Sequence, residues 1–135
     1  LILPNVAFGL PFTTFLIRAY MTGIPGELRE AALMDGAGEA RIFREVYLPL
    51  CRPILASAGL ISAMRVWNEF IFAYVLTDSS EKYTISVGIA HFFGEYSVAW
   101  NELMAAGLVA AVPPIVLYLF TSRFLVSGLT AGALK

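Results

Sequence analysis

Residues 25–49 read Pro-Gly-Glu-Leu-Arg-Glu-Ala-Ala-Leu-Met-Asp-Gly-Ala-Gly-Glu-Ala-Arg-Ile-Phe-Arg-Glu-Val-Tyr-Leu-Pro, the most polar long stretch of an otherwise apolar chain. A helix is expected to open here, because Pro25 suits a first turn and the acids Glu27 and Glu30 suit the positive end of a helix dipole. Leu28, Ala31, Ala32 and Asp35 follow at i, i+3, i+4 and i+7, on one face. Ala31 and Ala32 keep that face small, so another backbone can come close. Asp35-Gly36 is a turn signal, and Gly36 can take the positive φ that ends a helix. A second amphipathic pattern follows, with Ile42, Phe43, Val46, Tyr47 and Leu50 apolar and Glu39, Arg41, Arg44 and Glu45 polar. Pro49 and Pro53 are expected to close it. The stretch predicts two short helices at an angle, with a charged face and a small-residue corner.

Outward from this corner the chain reads as membrane sequence. Of its 135 residues, 59% are hydrophobic and 14% charged, with a mean hydropathy of +0.75. Soluble domains carry about 25% charged residues, so the deficit points to a bilayer. The net charge of -1 gives no reason to expect a nucleic-acid partner. Cys51 is the single cysteine, which excludes an intrachain disulfide and a cysteine-rich metal site, and it reads as a packing residue. His91, the single histidine, reads as a surface or packing residue. The chain starts at Leu1 and enters apolar sequence directly, so it is expected to be a piece whose beginning is missing.

Three spans are expected, at about 1–21, 54–77 and 103–122. The first has no charge before Arg18, and its Pro4, Gly9 and Pro11 are tolerated in membrane helices. The second is long enough to cross a hydrocarbon core of about 30 Å at about 1.5 Å per residue. Arg65, Asn68 and Glu69 interrupt it, with Arg65 and Glu69 at i, i+4 and able to pair on one helix face. Polar groups at that depth should face a partner helix or a wet cavity. Two readings stay open for them: a translocation-path lining that touches substrate, or a polar clamp between helices. In the intervening 78–102 segment, Ile85, Val87 and Ile89 alternate as in a strand, while Ile85, Ile89 and Phe92 fit a helix. A short helix at the membrane surface is the expectation, with Tyr96 and Trp100 in an interfacial aromatic belt. The third span is uncharged, Pro113-Pro114 should kink it, and Gly107 with its neighbouring alanines gives a face for close helix packing. Arg123 should end it, leaving a tail too short to span.

Basic residues set the orientation. Arg29, Arg41, Arg44 and Arg52 lie between spans one and two, with Arg18 at the edge, against Lys82 alone between spans two and three. The 22–53 loop and the carboxyl terminus are therefore expected to be cytoplasmic and 78–102 external.

The polar stretch also carries a fixed spacing: Glu30-Ala31-Ala32, three residues, Gly36, nine residues, Val46, one residue, Leu48-Pro49. It resembles the EAA loop of ABC-importer permeases, which reads EAA, three, G, nine, I, one, LP, with Val46 in place of Ile as the one departure. Pro11-Phe12 through Arg18, Ile24-Pro25, Trp67-Asn68-Glu69-Phe70 and Gly128-Leu129-Thr130-Ala131-Gly132 are similar to the carbohydrate-uptake branch, and most of all to its MalG-like subunits. The resemblance implies an all-α polytopic membrane helix bundle, with this chain holding the last three of six helices and a cytoplasmic coupling loop at 22–53. It implies a bacterial or archaeal cytoplasmic membrane. The implied partners are two copies of an ABC ATPase subunit, a second permease subunit and an extracytoplasmic sugar-binding protein. On this resemblance Glu30, Ala31, Ala32, Asp35, Gly36, Val46, Leu48 and Pro49 form the ATPase-coupling element, with Glu30 meeting a basic residue of the ATPase.

No catalytic constellation is visible. No Gly-x-x-x-x-Gly-Lys-Ser/Thr stretch occurs, so the chain has no cradle for ATP phosphates. No cofactor or metal is expected on this chain, and hydrolysis is expected on a separate subunit. A permease for a non-sugar solute and a multipass membrane enzyme are the alternative readings.

Overall fold

The structure, a computed structural model, describes residues 1–93 and 98–132, the last ten of these as backbone alone. It is built of helices: α1 (Ile2–Met21), α2 (Glu27–Met34), α3 (Glu39–Leu50), α4 (Arg52–Trp67), α5 (Ile71–Leu76), α6 (Ile85–Ala90) and α7 (Trp100–Gly132). Among the described residues the one β pairing is an antiparallel bridge between Phe93 and Val98. Helix α4 is central, packing against both α1 and α7, and its Ala58 and Leu60 are buried. The exterior is apolar: Phe15 is 71% exposed and Leu108 74%. A surface of this kind belongs in lipid or against further helices rather than in water.

Helices α1 and α7 are each long and apolar enough to cross a membrane. The expected middle span behaves differently. Residues 54–77 are not one helix: α4 stops at Trp67, the chain turns through Asn68–Phe70, and α5 starts afresh at Ile71. The 16 residues of α4 reach about 24 Å, short of a hydrocarbon core of about 30 Å. A third membrane-length element arises only when α3 and α4 are taken together, and they meet at a 67° bend.

The bend sits at Cys51, and Pro49 does not close α3. The helix runs on to Leu50 because it widens at Phe43–Tyr47 into a π turn, in which Leu48 N–H bonds back to the Phe43 carbonyl. In a regular helix the Pro49 ring would strike the Glu45 carbonyl and leave it unpaired. The wide turn lies where that clash would fall. Pro53 does not terminate a helix either; it occupies the first turn of α4, where its missing N–H is no loss.

Helix α7 begins at Trp100 rather than Leu103, and its backbone continues past Arg123 to Gly132, passing through Pro113 and Pro114. The segment expected as a separate tail is thus, as far as Gly132, the end of the same helix. Tyr96 and residues 133–135 lie outside the described residues. Helix α6 forms as expected, but it is not free on a surface: Val87 is buried and the helix packs on α7.

Candidate functional site

Two places concentrate the polar chemistry: the α2–α3 corner and the break between α4 and α5.

At the corner, Gly36 has φ 77° and is the one residue of positive φ among those described. Its N–H bonds to the Leu33 carbonyl at 2.9 Å, and Ala37 N–H reaches the Ala32 carbonyl at 3.0 Å. This pair of bonds is the Schellman closure of a helix, and it satisfies carbonyls that the end of α2 would otherwise leave bare. Arg29 pairs with Glu39 across the turn, tying α2 to the start of α3. The hydrogen bond and charge of Glu39 raise the guanidinium's affinity for its proton. Arg41 Nε donates to Glu45 Oε2 at 2.9 Å within α3. Ile42 is fully buried and anchors α3 in the corner. Farther along, the Tyr20 hydroxyl donates to the Leu50 carbonyl at 3.2 Å, fixing the end of α3 to the end of α1.

The predicted coupling residues fall in three groups along this corner and its arm, α3. Glu30 and Ala31 are exposed on α2, Asp35 is exposed just past its end, and Glu30 forms no ion pair among the described residues. Ala32 and Val46 are half-buried and line a cleft of about 360 Å³ with Asp35, Ala37 and Arg41. Leu48 and Pro49 lie at the far end of α3, on the approach to the 67° bend. Gly36 and its neighbours therefore hold a rigid exposed knob, and Leu48-Pro49 join it to α4.

At the break, the expected pairing of Arg65 with Glu69 is absent, because Glu69 has left the helix. Its carboxylate turns forward to accept Phe72 N–H at 2.6 Å and Ala73 N–H at 3.1 Å, capping the start of α5. An acid at a helix start is favoured by the dipole and by the bare N–H groups there. Arg65 instead crosses to α1, where Nη2 donates to the Asn5 carbonyl at 2.6 Å. Gly9 makes the space: a Cβ there would lie 2.9 Å from the same nitrogen. Thr13 and Ser62 hydroxyls meet nearby at 3.4 Å. Asn68 sits on the open side of the break, with Nδ2 donating to the Met64 carbonyl at 2.8 Å.

Trp67, expected only as part of the Trp67–Phe70 stretch, and Ser86, not singled out by the sequence, complete the break. Trp67 Nε1 donates to the Ala110 carbonyl of α7 at 3.1 Å. Ala110 stands four residues before Pro114, whose missing N–H leaves that carbonyl free within α7. The proline pair thus supplies an acceptor for the neighbouring helix. The signal was in the sequence, since an apolar-lying indole needs an acceptor and a mid-helix proline creates one. The Ser86 hydroxyl of α6 donates to the Trp67 carbonyl at 3.1 Å, satisfying the end of α4.

Residues 1–130 match the family described as the binding-protein-dependent transport system inner membrane component. The chain is 38% identical over 135 residues to the probable ABC transporter permease protein YurM of Bacillus subtilis, covering 100% of this chain and 45% of that protein. It is 38% identical over 133 residues to the trehalose/maltose transport system permease protein MalG of Thermococcus litoralis, covering 98% of this chain and 48% of that protein. It is 38% identical over 132 residues to the melibiose/raffinose/stachyose import permease protein MelC of Bacillus subtilis, covering 97% of this chain and 48% of that protein. The chain spans about half the length of these curated relatives.

Proposed function

The chain belongs to the family of binding-protein-dependent transport system inner membrane components, and from that premise we propose that it is part of a permease subunit of an ATP-driven importer for a sugar or oligosaccharide. The observation that carries this reading is the corner: an exposed Glu30-Ala31 face, locked by the positive φ of Gly36 and joined through a 67° bend to the central helix. Such a knob can seat in a cleft of an ATPase subunit, with Glu30 free to meet a basic group there. Rigid docking turns the closing of two ATPase subunits into rotation of α4 and the helices packed on it. Hydrolysis belongs to those subunits, because this chain has no phosphate-cradling motif. A second permease subunit and an external sugar-binding protein complete the assembly. The basic residues of 22–53 put the corner and the carboxyl terminus on the cytoplasmic side and 78–102 outside.

The sugar assignment is supported by relatives named for trehalose, maltose, melibiose, raffinose and stachyose. At the break, Arg65 and Glu69 act in this reading as structural clamps, one on the α1 backbone and one on the start of α5. Their divergence also argues against a membrane enzyme, since no two of the three polar groups converge on one point. The complete complex in lipid vesicles tests the proposal: ATP hydrolysis and solute uptake should both rise when a sugar-loaded binding protein is added. Stimulation by a binding protein carrying a non-sugar solute, with none by sugars, would transfer the function to that solute.

A further inference from the structure

We propose that the cleft between α4, α6 and α7 is a sugar subsite, in which one pyranose ring of the transported carbohydrate lies on the Trp67 indole and is held by the Asn68 amide and the Ser86 hydroxyl. This deepens the import reading and rests on it. The cleft measures about 500 Å³, within the range of about 300–1,000 Å³ common for small-molecule sites. Its wall chemistry matches a sugar. A pyranose has an apolar C–H face and a rim of hydroxyls that both donate and accept. The Trp67 N–H is already bonded to the Ala110 carbonyl, so what the indole offers the cleft is its apolar ring. Asn68 uses one amide hydrogen on the Met64 carbonyl, which leaves its second N–H and its Oδ1 for a ligand. Ser86 donates to the Trp67 carbonyl and keeps its oxygen lone pairs as acceptors. Among the described residues no Asp, Glu, Lys or Arg lines the cleft, which suits a neutral polyhydroxyl ligand.

The surroundings show why the cleft is open. Its floor on α7 is Gly107, Ala110 and Ala111, and a Cβ built on Gly107 meets no atom within 4 Å. Its rim is the helix break. Non-helical backbone at membrane depth persists only where protein buries it or where it lines a wet cavity. Here the break is satisfied from within: Ser86 on the Trp67 carbonyl, Glu69 on the N–H groups of Phe72 and Ala73. Asn68 is the exposed group left over, facing the open side.

The test uses the complete permease complex in vesicles, carrying Cys51→Ala to remove this chain's single cysteine and Ile89→Cys, at an apolar lining position, to report on the cleft. A small water-soluble thiol reagent is added and modification of this subunit is followed. The expected result is steady modification that slows severalfold with ATP and the sugar-loaded binding protein, and not with the unloaded one. No modification in any state means another segment fills the cleft, and an equal rate with and without sugar means no sugar enters it; either overturns the subsite. A second variant, Gly107→Leu, fills the floor. It should lower sugar uptake while the loaded binding protein still stimulates ATP hydrolysis, and unchanged uptake overturns the subsite. If hydrolysis by the unmodified complex answers to no sugar-loaded binding protein, the import reading fails and the subsite with it; the other failures leave that reading standing.

Discussion

Replacing Gly36 isolates the physical content of the corner. Its φ is 77° and nothing lies within 4 Å of where a Cβ would stand. The penalty of a side chain is therefore conformational rather than a collision. Left-handed backbone costs an L-residue about 1–2 kcal/mol. The alternative is to leave that conformation and give up the bonds from Gly36 N–H to Leu33 and from Ala37 N–H to Ala32, at 2.9 and 3.0 Å. Each such bond contributes about 0.5–1.5 kcal/mol, so both routes cost about the same. Gly36→Ala should thus shift the local closing equilibrium by a factor of about 5–30. Gly36→Asn should cost less, because Asn visits this region readily, and Gly36→Val more, because a β-branched side chain does not. Hydrogen exchange at the Ala37 amide reads the effect directly, since that N–H is held by the turn. Protection should fall in the order glycine, asparagine, alanine, valine. Protection in Gly36→Val equal to that of the unmodified chain would refute the argument.

Three further perturbations follow from the same geometry. Glu30→Lys should weaken docking of the ATPase subunit by more than about tenfold, since a hydrogen bond to a charged group contributes about 1.5–3 kcal/mol; co-purification of the ATPase with a normally inserted permease checks it, and unchanged recovery and transport count against the contact. Glu69→Ala should lower the thermal stability of the purified complex by more than Glu69→Gln, because the amide keeps one acceptor for the start of α5 and the methyl keeps none; no loss in Glu69→Ala would mean the cap contributes nothing. Gly9→Ala should destabilise the complex in the presence of Arg65, whose Nη2 would lie 2.9 Å from the new Cβ, and should be nearly neutral in an Arg65→Met background. Equal costs in the two backgrounds, measured as a double-mutant cycle, would show that the Arg65 contact with α1 is not what Gly9 accommodates.

The corner was legible because its determinants are local. Asp35-Gly36 marks the turn, the alanines mark the close-approach face, and each is read within a few residues of the bond it makes. The break in the middle span was not legible for the opposite reason. Arg65 and Glu69 stand four apart, the spacing of a helical pair, and neither glycine nor proline announces the interruption. What stabilises it is a carboxylate turning forward to Phe72 and Ala73 and a hydroxyl arriving from Ser86. Only a packed α6 brings that hydroxyl within reach. The proline pair in α7 is visible in the sequence, but that the carbonyl it frees serves the indole of Trp67 depends on how α4 packs on α7. Pro49 misled: the π turn before it lets α3 continue to Leu50, and no sequence pattern marks that turn. Two membrane-length helices, α1 and α7, lie where composition leads one to expect spans, while 54–77 is divided between α4 and α5.

The central claim is that the exposed face of α2 transmits ATPase closure. The most direct measurement is photo-cross-linking in the assembled complex, with a photoreactive side chain in place of Ala31 and, separately, in place of Ser79. The account predicts an adduct with the ATPase subunit from position 31, changing in yield between nucleotide-free and ATP-bound states, and none with the ATPase from position 79. A transport-competent complex that gives no ATPase adduct from position 31, or gives one from position 79, would contradict it.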